Sequence, residues 1–108
     1  MSRALLLNAR LAHAMVTERV EIREIRMFAG HAAGLHVHNC PVMGSIVDGS
    51  VIYQIEGQPA SKLRAGDVFY EPEGARIARF DATEEGVTFL GYFLLGPQQD
   101  PEISLPEH

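Results

Sequence analysis

From residue 20 onward, apolar positions alternate with polar ones at a period of two, in short runs cut by Gly, Pro and Asp. Val20 and Ile22 share one parity and Ile25 and Met27 the other, which predicts a strand with a bulge near Arg23–Glu24. Phe28-Ala29-Gly30 predicts a turn. Leu35 to Asn39 reads as a second short strand, stopped before Pro41 because the residue preceding proline is forced out of the helical region. Met43 to Val47 makes a third strand, Asp48-Gly49 a hairpin turn, and Val51 to Glu56 the alternating return strand. Short runs at Lys62-Leu63 and Val68 to Tyr70 follow, then Ala75 to Phe80, a loop over Thr83 to Gly86, and a long apolar strand from Val87 to Leu95. The near-continuous apolar character of that last run predicts cover on both faces.

Strands spaced about ten residues apart, with no long helical period between them, predict an all-β sandwich or barrel, read here as a single antiparallel β-barrel. Residues 1–108 form one domain in this reading. An extended tail is expected over residues 96–108, where Pro97, Pro101 and Pro106 fall, with Ile103 and Leu105 available to dock it. The first seventeen residues fit either a helix or a short edge strand through Leu5–Leu7, with a loop through His13; the strand is the preferred reading.

Charge and composition narrow the chemistry. The net charge of −5 and the lack of a clustered basic patch argue against sequence-neutral nucleic-acid binding, where phosphate neutralisation carries affinity. No apolar window is long enough to span a bilayer. Cys40 is the only cysteine, so the fold needs no intrachain disulfide. A cytoplasmic location, with no nucleic acid and no membrane as partner, is the expectation.

The candidate chemistry centres on His36 and His38. Two residues apart on a strand, they face the same way with Cα atoms about 6.6 Å apart. That spacing lets two imidazoles converge on one divalent transition metal, Zn, Fe, Mn, Ni or Cu. Spacing alone is equally met by a solvated strand face, or by two buried, hydrogen-bonded rings.

The arrangement resembles the cupin superfamily. Gly30 is followed by five residues and then His36-Val37-His38, similar to the first cupin motif. Gly66 is followed by five residues and then Pro72-Glu73-Gly74, similar to the second. The resemblance runs from Gly30 through Asp81, with Val87 to Leu95 as the closing strand. It implies a jelly-roll barrel, an interior pocket, and dimers formed by sheet extension, to which the aliphatic N-terminal segment would be suited. Two of the usual four ligands are missing: Val42 or Met43 stands at the glutamate position and Ile77 at the second-motif histidine, while Asp81 replaces the asparagine. Further ligands or pocket residues are therefore sought among Cys40, Met43, Gln54, Tyr53, Glu71, Ile77 and Arg79. With Cys40 and Met43 the site would favour a soft ion such as Cu(I). Glu71, Tyr53 or Gln54 would supply oxygen instead. Arg79, if it shares a face with Ile77, would hold a ligand carboxylate at the pocket mouth.

Three functions follow from this. The first is a small-molecule-binding protein with a degenerate metal site, the preferred reading. The second is a metal-dependent oxygenase, isomerase or decarboxylase acting on a small organic substrate. The third is a structural homodimer.

Overall fold

The computed structural model describes residues 1–104; Leu105 and Pro106 of the expected tail, and the terminal His108, lie outside the described residues. The chain is all-β, with β1 (Arg19–Met27), β2 (Val37–His38), β3 (Val42–Ile55), β4 (Ser61–Arg64), β5 (Val68–Glu71), β6 (Ile77–Leu95) and β7 (Ile103–Ser104). β3 is the centre of the main antiparallel sheet. β6 runs along one of its edges, while β5 and then β4 occupy the other, opposite residues 42–45 and 50–53. β1 adds outside β6. β2 and β7 form a separate two-stranded sheet.

This topology corrects the expected single antiparallel barrel of jelly-roll type. The strand order β1-β6-β3-β4 has two ends, and among the described residues no pairing joins β1 to β4. Closure would need those edges to meet. β3 and β6 instead bend at register shifts between Ile46 and Asp48 and between Gly49 and Val51, folding the sheet over its core without closing it.

The same bends explain two further departures. Asp48-Gly49 is not a hairpin turn but an irregularity inside one fourteen-residue strand, and Thr83 to Gly86 lies within the nineteen-residue β6. Gly49 adopts φ 75°, and a Cβ there would lie 2.1 Å from the Gly86 carbonyl oxygen, so only glycine fits. The buried Ser50 hydroxyl fastens the bend, 2.6 Å from Thr83 Oγ1 and donating to Glu85 Oε1 at 2.7 Å.

β1 pairs with β6 in unbroken register, without the expected bulge. Its change of parity has another cause: Ile25 and Met27 pack on the core, whereas Val20 and Ile22 lie exposed on the outer face. No strand forms at Leu5–Leu7; Leu6 and Leu7 instead border a shallow groove on the outer sheet face with Met43 and Tyr92.

Inward alternation builds the core. Phe69, Phe80 and Phe89 are mutually packed at ring-centroid distances of 4.9–5.9 Å, and Tyr53 leans on the first two. Ile46, Val51, Ile77 and Val87 complete this cluster, and Cys40, Val42, Phe93 and Leu95 form a smaller one beside it. Burying such side chains stabilises the fold by about 1.5–3 kcal/mol each before conformational entropy is counted.

Candidate metal centre

Three local features aim the two histidines. Gly34, at φ 79°, turns the chain so that its carbonyl accepts from His36 Nδ1 at 2.7 Å. A carbonyl can only accept, so the ring proton sits on Nδ1 and Nε2 carries the free lone pair. Reciprocal backbone bonds between His36 and Ile77, at 3.0 and 2.8 Å, pin the segment to the start of β6. His38 lies two residues further on, in β2, and packs edge-on against the His36 ring with centroids 5.1 Å apart.

The third group is Glu71, the last residue of β5, where Pro72 ends the strand. Val42 and Glu71 are direct partners in the β3–β5 ladder. Paired residues share a sheet face. Glu71 therefore presents its carboxylate from the neighbouring strand to the region where the family's first motif would place a glutamate on β3.

Glu71 Oε2 lies 2.5 Å from His38 Nε2 and 3.5 Å from His36 Nε2, and both Glu71 and His36 are buried. The buried oxygen nonetheless lacks a hydrogen bond of acceptable geometry. One donor atom from each residue falls within 4.8 Å of the others. Two imidazole nitrogens and a carboxylate oxygen converging on one point, with the oxygen short of a well-formed hydrogen bond, fit a divalent transition metal.

Charge agrees with the geometry. Burial pushes the His36 pKa down, but the Glu71 carboxylate and the Gly34 carbonyl outweigh it and leave the ring above the ordinary imidazole value. Burial pushes Glu71 up, and His36 and His38 together more than reverse this, holding it below the ordinary carboxylate value. The site is thus an anion set between two bases, ready for a cation.

The other candidates lie elsewhere. Cys40 is buried in the smaller apolar cluster, where desolvation first, then Glu73 and Glu21, push its thiol up to about 11. Met43 points to the outer groove. The donor set therefore holds nitrogen and oxygen without sulfur, which removes the case for a soft ion. Tyr53 donates to the Tyr70 carbonyl, and burial pushes its hydroxyl pKa upward. Gln54 donates to the Gln58 carbonyl. Ile77 is wholly buried in the core.

Arg79 is exposed and pairs with Asp81 at 2.9 Å. A register shift between Gln54 and Ile55 breaks the alternation there, so Arg79 does not share the inward face of Ile77. The arginine nearest the donors is Arg23, which borders a neighbouring hollow shared with His38 and Phe93 and which sequence reasoning missed. Its guanidinium lies 5.7 Å from the centre of the Phe93 ring and is paired with Glu21.

The three donors line a cavity of about 250 Å³, shared with Ile25, Met27 and the Phe69–Phe80–Phe89 cluster. His31 borders it too, with no sequence signal beyond its residue type. The volume falls just below the roughly 300–1,000 Å³ of drug-sized ligand sites, which suits a smaller molecule with an apolar body.

No protein-family model and no curated protein matches the chain. Solved structures do. A DMSP lyase, DddQ from Ruegeria pomeroyi DSS-3, superposes with a TM-score of 0.67 at 22% identity, over 77% of this chain and 42% of the lyase. A cupin-like protein from Thermotoga maritima gives 0.64 at 24% identity, over 77% and 62%. An RmlC-like cupin from Shewanella frigidimarina gives 0.62 at 19% identity, over 73% and 68%. The chain spans less than half the length of the lyase, and what it shares with all three is the cupin fold. Among the described residues no helix is long and apolar enough to cross a membrane.

Proposed function

We propose that this chain binds a small organic molecule in the cavity beside a divalent transition metal held by His36, His38 and Glu71. The observation that carries this reading is the buried Glu71 Oε2, which lacks a well-formed hydrogen bond yet lies within reach of both imidazole Nε2 atoms. A buried carboxylate is costly unless fully paired and hydrogen-bonded, and a cation bound between the three groups would offset that cost.

When bound, the metal would supply Lewis acidity and a fixed point of attachment for an oxygen or nitrogen of the ligand. The residues of the chain do the rest. Gly34 fixes the tautomer of His36, as partners of metal-binding histidines do. The phenylalanine cluster keeps water from the inner end and presents apolar surface to the ligand's body.

A second reading, a metal-dependent enzyme, is favoured by the donor set itself. Two histidines and one carboxylate leave coordination positions open for substrate, as catalytic centres do. His31, on the same cavity, would be the group to move a proton.

Elemental analysis of purified, untagged protein tests the site. About one equivalent of transition metal is expected in the wild type and none in the double variant His36→Ala/His38→Ala. Equal metal in both would sink the assignment.

The homodimer is also a proposal. It is supported by the exposed Val20 and Ile22 on the outer sheet face and by the exposed Leu5 and Leu6 of the N-terminal segment. Light scattering of the same preparation should give twice the 11.9 kDa chain mass, and a monomer at tens of micromolar would exclude it.

A further inference from the structure

The segment after β6 reaches the cavity that holds the donors through Ile103. It leaves the main sheet at Gly96, and turns through Gln98, the one non-glycine residue with positive φ (56°) among the described residues. It returns as β7, with Ile103 opposite His38 and Ser104 opposite Val37. Most of the strap is exposed, so little apolar burial holds it down.

Arg19 of β1 holds its middle from the exposed side, donating to the Gln99 carbonyl at 2.6 Å and pairing with Asp100 at 2.8 Å; the contact beside the donors is made by Asn39, the residue after His38. Its side-chain amide donates to the Asp100 carbonyl at 2.8 Å, and its side-chain oxygen accepts from the Glu102 amide at 2.7 Å. Its backbone amide donates to the Glu102 carbonyl at 3.2 Å, and its carbonyl accepts from Gln99 Nε2 at 2.7 Å. All four polar groups of one residue thus engage the strap.

Ile103 is the working part. It is 60% exposed, yet it borders the main cavity. It also borders the hollows on either side, one with Arg23 and Pro101, the other with Ala33 and Leu35. It is the partition at which the three spaces meet, so moving it joins them and opens the donors to solvent.

We propose that residues 96–104 are a lid over this cavity, hinged at Gln98, latched by Asn39 and closed by Ile103. It rests on the reading that the cavity is the binding site. Opening requires a short two-residue ladder, the Asn39 bonds and the exposed Arg19 contacts to Gln99 and Asp100 to break, and none of these lies within the main sheet's own ladders.

The test is the rate at which diethyl pyrocarbonate acylates His38 in the full chain after dialysis against a chelator, read by mass spectrometry, with exposed His13 as internal reference. The His38 side chain is only 13% exposed in the closed form. Asn39→Ala removes two hydrogen bonds and should raise the His38 rate roughly tenfold or more relative to His13.

A second variant works in the opposite direction. Val37→Cys/Ser104→Cys joins directly paired positions, whose separation in an antiparallel ladder suits a disulfide. Oxidised, it should slow His38 acylation below wild type, and reduction should restore it. Because it keeps every latch bond, it answers the question even if Asn39→Ala misfolds. An unchanged His38 rate in the oxidised form would overturn the lid. The expected rates in a protein that binds no metal would leave the lid standing and remove the metal reading. Bound metal with invariant rates would do the reverse.

Discussion

Glu71→Gln is expected to lower the affinity for Zn²⁺ or Co²⁺ by more than the ~10–100-fold that loss of a supporting partner costs at a metal site, because it removes the only anionic donor. The substitution keeps the shape of the side chain, so lost packing does not explain the effect. A change in pH dependence should accompany it. His36 must be neutral at Nε2 to bind metal, and its pKa lies above the ordinary 6.5 in the presence of Glu71. Wild-type affinity should therefore begin to fall at a pH above 6.5 and drop roughly tenfold per further unit of acidification. Without the carboxylate, burial dominates, the His36 pKa moves down, and the fall begins at lower pH.

Stability of the metal-free protein carries the matching signature. The His36 contribution is full below its unfolded pKa and is lost as pH rises through the raised folded value. The Glu71 contribution is present above its unfolded 4.5 and is lost as pH falls through the depressed folded value. The two overlap between about 4.5 and 6.5, and Glu71→Gln should flatten that maximum. Calorimetric metal titrations and urea melts from pH 4 to 8 read both effects. A variant that binds metal as tightly as the wild type would remove Glu71 from the site.

Phe80→Ala is expected to cost about 3–5 kcal/mol, the range for deleting a fully buried aromatic ring. Phe80 is 4% exposed and lies 5.1 Å from the Phe69 ring, 4.9 Å from Phe89 and 6.1 Å from Tyr53. Each such pair adds about 0.5–1.5 kcal/mol beyond area burial. The neighbouring strands are tied by long ladders and cannot collapse into the space, so the cavity term stays large. For a chain of this size the loss corresponds to a Tm lower by well over 10 °C. Phe80 also borders the ligand cavity, so the variant should lose affinity for small apolar ligands while its metal stoichiometry stays at the wild-type value. A thermal melt and a metal assay on one sample separate the two. A Tm within a few degrees of wild type would show that the aromatic cluster is not the centre of the core.

Local signals were legible wherever they did not depend on which strands meet. The alternation from Val51 to Glu56 and the short apolar run from Val68 to Tyr70 marked real strands, ending within one residue of the observed β3 and β5. Asp48-Gly49 misled because the same dipeptide serves a hairpin turn and a bend within a strand; both require positive φ at glycine. Only pairing with a distant strand separates them, and here β6 continues along β3 past Gly49. The parity change in β1 misled for a related reason, since one-dimensional pattern does not distinguish a bulge from a strand that is apolar on both faces.

The sequence by itself determined the all-β character, the shared direction of His36 and His38, and the turn at Gly30 ahead of them, because each follows from the geometry of a few consecutive residues. Tertiary structure decided that the sheet stays open, that Cys40 and Met43 face away, that Arg79 lies outside and Arg23 beside a neighbouring hollow, and that Glu71 joins His36 and His38 in a cluster able to hold a metal. Those outcomes depend on the register between strands far apart in the chain. A shift of one residue would turn Glu71 to the opposite face, and nothing within its own strand fixes that register.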